Sequence, residues 1–80
     1  MKTRAHVQLV TNQQAVEFVS LLNSDGTTNK YTLENLDGSF RVEARSLLGV
    51  LYFITEHGDE IFLVNETDNT LPNWIDKFRA

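Results

Sequence analysis

The stretch Ser46-Leu47-Leu48-Gly49-Val50-Leu51-Tyr52-Phe53-Ile54-Thr55 decides the fold of this chain. Its apolar run from Leu47 to Ile54, broken only by Gly49, falls far short of the ~20 residues that span a bilayer. Periodicity alone does not separate a buried strand from a short helix here, and Val50, Tyr52, Phe53 and Ile54 favour strand. Wound as a helix, the apolar side chains split into two arcs. Val50, Phe53 and Ile54 form one; Leu47, Leu48 and Leu51 form the other, which Tyr52 extends. A short helix lying on a sheet buries only one such arc. The surplus arc therefore asks for a function, or for cover from a loop, a partner subunit or the C-terminal segment.

Outward from this stretch the reading is clearer. Thr3 to Val10 alternates, with Ala5, Val7 and Leu9 on one face and Arg4, His6 and Gln8 on the other, as a half-buried strand does. Thr11 or Asn12 offers a side-chain oxygen to cap a helix, Ala15, Phe18, Val19 and Leu22 follow at helical spacing, and Asn23-Ser24-Asp25-Gly26 stops the run. Thr28 to Asn35 reads as a second strand with Tyr31 and Leu33 on one face. Leu36-Asp37-Gly38 carries a hairpin signal, and Phe40, Val42 and Ala44 alternate with Arg41, Glu43 and Arg45 in a third strand. Ile61 to Asn65 reads as a fourth strand, apolar on both faces. Pro72 to Ala80 places Trp74, Ile75 and Phe78 on one face of a last helix, with Pro72 in its first turn. Taking Ser46 to Thr55 as a helix gives the order βαββαβα in one domain, 1–80. The expected class is α+β, an open-faced sandwich with a four-stranded, mainly antiparallel sheet and helices on one face.

The composition narrows the partners. The chain has 80 residues, 41% of them apolar, and a net charge of -4 from 7 basic and 11 acidic residues. That balance argues against nucleic acid, whose binding depends on clustered Lys and Arg. There is no Cys, so disulfides and thiolate metal sites are out, and the expected compartment is the cytoplasm. The N-terminal MKTRAHVQLV lacks the long apolar run of a signal peptide. No pattern calls for a cofactor, a metal or a membrane.

With the element order, Arg45-Ser46-Leu47-Leu48-Gly49-Val50 resembles the HPr family, the small histidine phosphocarriers of the bacterial sugar phosphotransferase system. The family pattern there is a basic residue, a serine, two large aliphatics, then Gly and an aliphatic. Gly58-Asp59-Glu60-Ile61 looks like the family's Gly-x-acidic-aliphatic entry into the last strand, and the match runs without gaps from about Asp37 to Val64. The resemblance implies an HPr-like fold and partners among proteins of the phosphotransferase or catabolite-regulation system.

The departure lies after the first strand. HPr proteins carry Thr-Gly-aliphatic-His-Ala-Arg-Pro-Ala there, where this chain has Thr11-Asn12-Gln13-Gln14-Ala15-Val16-Glu17-Phe18. The phosphoryl-accepting His is replaced by Gln14, the Arg by Val16 and the Pro by Glu17, leaving Ala15 in place. A phosphocarrier needs a nucleophilic ring nitrogen beside free helix N–H groups and a cation. The Gln14 amide nitrogen has a delocalised lone pair, Val16 supplies no cation, and Glu17 is expected to add negative charge in the first turn. The resemblance is then to catabolite-repression HPr-like proteins, which lack the histidine and in which a kinase marks the serine. This chain lacks the Arg-Pro that those proteins keep.

Ser46 has two readings: an N-cap, or a regulatory phosphoserine with Arg45 at hand to pair with it. In the family, the positions of Leu47, Leu48, Leu51 and Tyr52 belong to the apolar surface that docks partners. His57, in Glu56-His57-Gly58-Asp59-Glu60, reads as a solvated turn residue rather than a metal ligand, and His6 as a solvated strand residue. No nucleophile–base–orienter set is present, so no enzymatic activity is expected. The expected function is a regulatory or docking module without catalysis. The alternatives are a degenerate HPr-like domain with a changed partner and an unphosphorylated Ser46, or a ferredoxin-like ligand-binding module.

Overall fold

The computed structural model describes residues 3–26 and 28–80, so Met1, Lys2 and Thr27 of the expected 1–80 domain lie outside the described residues. The order is β1 (Arg4–Val7), α1 (Asn12–Asn23), β2 (Tyr31–Glu34), β3 (Arg41–Glu43), α2 (Leu47–His57) and β4 (Ile61–Asn65), followed by a 3-10 turn at Ile75–Phe78. The strands form one sheet in the order β1-β4-β2-β3, and each pairing is antiparallel. The chain is thus a small α+β domain with a four-stranded antiparallel sheet and two helices.

Register sorts the two faces of the sheet. Ala5, Leu63, Leu33 and Val42 align in one row across it, with Val7 beside Ile61. These residues join Ala15, Phe18, Val19 and Leu22 of α1 and Val50 and Phe53 of α2 in one core. The opposite face carries two rows, Arg4–Val64–Thr32–Glu43 and His6–Phe62–Glu34–Arg41. β4 is apolar on both faces because it is central and long polar neighbours cover its outer side. Arg4 lies over the Phe62 ring at 4.1 Å, and the His6 ring stacks on it at 4.7 Å. Glu34, buried on this face, lies 3.4 Å from Arg4 and 3.7 Å from Arg41.

The β2–β3 connection follows the Asp-Gly signal. Asn35 N–H donates to the Phe40 carbonyl at 3.2 Å, and the Ser39 N–H donates to the Asp37 carboxylate at 3.0 Å. Gly38 takes a φ of 75°, which a side chain disfavours, and a Cβ there would meet Glu34 Oε2 at 3.1 Å.

The C-terminal segment departs from expectation. Pro72 to Ala80 forms no α-helix; only Ile75–Phe78 winds, with 3-10 bonds such as Ile75 N–H to the Pro72 carbonyl at 3.1 Å. Nine residues are marginal for helix nucleation, and β1 recruits the backbone of the last three of them. Gln8 N–H donates to the Phe78 carbonyl at 2.7 Å and Ala80 N–H to the His6 carbonyl at 3.0 Å, making a Val7–Arg79 bridge. The segment thereby covers the outer edge of β1, where bare strand edges are a liability. Its side chains do face inward as the sequence implies. Phe18, Trp74 and Phe78 meet edge to face in all three pairs, with centroids 5.3–5.7 Å apart.

Candidate functional site

The stretch is helical from Leu47 on, with α2 running to His57, and the two-arc reading of it holds except at Leu51. Ser46 has extended backbone and its hydroxyl accepts from Gly49 N–H at 3.3 Å, so it is the N-cap of α2. Tertiary packing outweighs the strand preference of Val50, Phe53 and Ile54: Val50 and Phe53 are fully buried, and Ile54 packs at the core's edge. Leu48 is 81% exposed, Tyr52 56% and Leu47 37%. Leu51 is different from its neighbours, because it is half-buried and packs against the core.

The surplus arc continues into an aromatic wall. Tyr52 lies 5.8 Å from Phe40, the residue just before β3, and Phe40 lies 4.8 Å from the His57 ring. His57 is therefore not a solvated turn residue. It ends α2 half-buried, against Phe40 and Phe53. His6 is exposed, with its ring on Phe62.

Arg45 does not stand free beside Ser46. β3 ends at Glu43, the chain turns, and the Arg45 guanidinium reaches across to the C-terminal end of α1. There it donates to the carbonyls of Leu22 and Asn29, faces the Asp25 carboxylate at 3.8 Å and lies over the Tyr31 ring. Through the Leu22 carbonyl, which also accepts Asp25 N–H at 3.3 Å, Arg45 helps to cap the C-terminus of α1 with a cation.

The region aligned with a carrier site is built as a helix start. Thr11 is the N-cap of α1: its hydroxyl accepts from Gln14 N–H at 3.1 Å, and Gln14 Oε1 accepts from Thr11 N–H at 3.3 Å. Gln14 Oε1 also accepts from Val10 N–H at 2.7 Å. This is a capping box. Its Thr-x-x-Gln spacing was present in the sequence and goes unread when Gln14 is seen only as a lost histidine. Ala15 is buried and Val16 is exposed. Glu17 lies in the second turn of α1 rather than the first, and its carboxylate pairs with Lys77 Nζ at 2.6 Å, tying α1 to the C-terminal segment.

Chemistry is sparse elsewhere. Among the described residues no three His, Asp or Glu side chains gather as a metal site, and no helix is long and apolar enough to cross a membrane. A groove of about 590 Å³ beside the end of β1 is lined in part by His6, Leu9, Ile54 and Asp59. What the structure does place together is an N-capped helix with an exposed apolar arc and the aromatic wall beside it. No protein-family model, curated protein or solved structure matches this chain significantly.

Proposed function

We propose that this chain is a non-catalytic docking module of the HPr type, serving the bacterial sugar phosphotransferase system or its catabolite regulation in the cytoplasm, without histidine phosphocarrier activity. The observation that carries this reading is the Leu48–Tyr52 surface, exposed on the helix that Ser46 opens. Among the described residues Val10, Val16 and Leu36 are exposed singly, whereas Leu47, Leu48 and Tyr52 are exposed on one helix, and grouped exposure of that kind supports an interaction site. The element order and the sheet order β1-β4-β2-β3 support it. A ferredoxin-like sheet would hold its first and third strands at the centre, whereas here β4 and β2 hold it.

The carrier chemistry has no agent at α1. Gln14 spends its oxygen on two backbone N–H groups, Val16 is apolar, and Glu17 is paired with Lys77. Incubation with phosphoenolpyruvate and the enzyme that charges HPr is expected to leave the mass unchanged. Incubation with HPr serine kinase and ATP is expected to add one phosphate, mapped to Ser46. A phosphohistidine in the first reaction would contradict the proposal.

The position of Arg45 favours a second reading on one point. With its guanidinium engaged by Leu22, Asn29 and Asp25, it is not at hand for a phosphate on Ser46. An HPr-like domain with a changed partner and Ser46 serving only as a cap fits that observation. No mass shift with the kinase, alongside retained partner binding through α2, would select it.

A further inference from the structure

We propose, resting on the docking reading of α2, that its partner is a protein presenting an apolar cleft rimmed by Lys and Arg. Neither helix contains a single Lys or Arg: α1 is NQQAVEFVSLLN and α2 is LLGVLYFITEH. Leu48, Tyr52 and Glu56 recur at four-residue spacing and are all exposed, so one stripe of α2 runs from apolar to aromatic to acidic. The Phe40 ring extends Tyr52 sideways, and Asp37 sits exposed in the turn that leads into Phe40. A guanidinium or ammonium arriving along this stripe has an exposed aromatic ring at Tyr52 and an exposed carboxylate one turn on at Glu56 to engage.

Most of the Lys and Arg side chains among the described residues are engaged away from this stripe. Arg45 is held at the C-terminal end of α1, Lys77 pairs with Glu17, and Arg4 and Arg41 flank Glu34 on the opposite face of the sheet. Glu56 on α2 and Asp37 in the turn before Phe40 are exposed carboxylates at one end of the stripe, which steers a basic partner there and repels an acidic one.

Two synthetic amphipathic helical peptides with the same leucine positions, one Leu/Lys and one Leu/Glu, test this against the ¹⁵N-labelled protein. The Leu/Lys peptide is expected to shift the amides of Leu47 to Glu56 and of Phe40, with an affinity at least about tenfold above that of Leu/Glu at low salt and a smaller gap at high salt. Leu48→Ser, at a site too exposed to matter for folding, is expected to weaken Leu/Lys binding about tenfold. Equal binding of the Leu/Glu peptide at α2 would overturn the charge inference and leave the docking reading standing. Shifts confined to the Arg4–Glu34–Arg41 face, or unaltered by Leu48→Ser, would overturn both. Broadening of α2 amides with protein concentration alone would make a second copy the occupant and overturn the inference.

Discussion

Thr11 and Gln14 hold each other at the start of α1, each side chain accepting the other's backbone N–H, at 3.1 Å and 3.3 Å. The same glutamine oxygen takes the Val10 N–H at 2.7 Å, so one side chain satisfies two donors where the chain leaves β1. Gln14→Ala is expected to cost about 1 kcal/mol, the ordinary worth of a cap. For a domain of this size that lowers the melting temperature by roughly 4–8 °C. Gln14→Glu, which keeps the acceptor, should lose less. An unchanged melting temperature in Gln14→Ala would show that the capping box carries no stability.

Phe78 is buried against Phe18 and Trp74, in a segment whose only winding is a 3-10 turn. Truncating a core Phe to Ala costs about 3–5 kcal/mol. The whole net stability of so small a core is of the same order, ~3–5 kcal/mol. Phe78→Ala is therefore expected to be largely unfolded at 25 °C by circular dichroism. A cooperative urea transition close to wild type would mean that the C-terminal segment contributes little to the core.

Gly49 lies inside α2 with room for a methyl group. A Cβ there would stand 3.5 Å from Ser46 Oγ and from Val42 Cβ, and 3.6 Å from the Glu43 carbonyl, all ordinary contacts. Gly49→Ala is expected to stabilise the domain by about 0.5–1 kcal/mol through helix propensity. A fall in the urea midpoint would place α2 closer to β3 than these distances do.

Asp37 is held below its ordinary 3.8, chiefly by hydrogen bonds from the Ser39 side chain and backbone N–H. Its folded form thus prefers the carboxylate, and the stability this contributes is present above pH ~4 and is lost as the pH falls through the lowered value. Asp68 behaves alike, its carboxylate accepting from the Thr70 hydroxyl and N–H. Carboxyl ¹³C titration is expected to give both midpoints below 3.8, and Asp37→Asn to flatten the acid limb of the stability curve. Midpoints at or above 3.8 would contradict the turn geometry.

Much of this fold is legible in the sequence because burial dictates it. The alternation of Ala5, Val7 and Leu9, the spacing of Ala15, Phe18, Val19 and Leu22, and the Asp37-Gly38 turn each state a local rule that the structure obeys. The two arcs of α2 are equally plain once Ser46 is taken as its cap. What the sequence hides is where long side chains and spare backbone groups go. Arg45 alternates with Val42 and Ala44 as a strand residue should, yet its reach takes it to the carbonyls of α1. The segment after Pro72 shows a helical apolar face, yet its backbone is drawn to β1, a partner more than sixty residues earlier. Leu51, grouped with Leu47 and Leu48 by angle, belongs to the core's edge because its neighbours pack over it. Such contacts are settled in three dimensions.

The central claim is that α2 docks a partner while the start of α1 does no chemistry. Titrating HPr serine kinase without ATP into the ¹⁵N-labelled protein tests it most directly. The expected result is loss of amide signals over Ser46 to Tyr52, abolished by Leu48→Asp in a variant with unchanged circular dichroism. Signal loss centred on the outer sheet face around Arg4, Glu34 and Arg41, with the α2 amides unaffected, would contradict it.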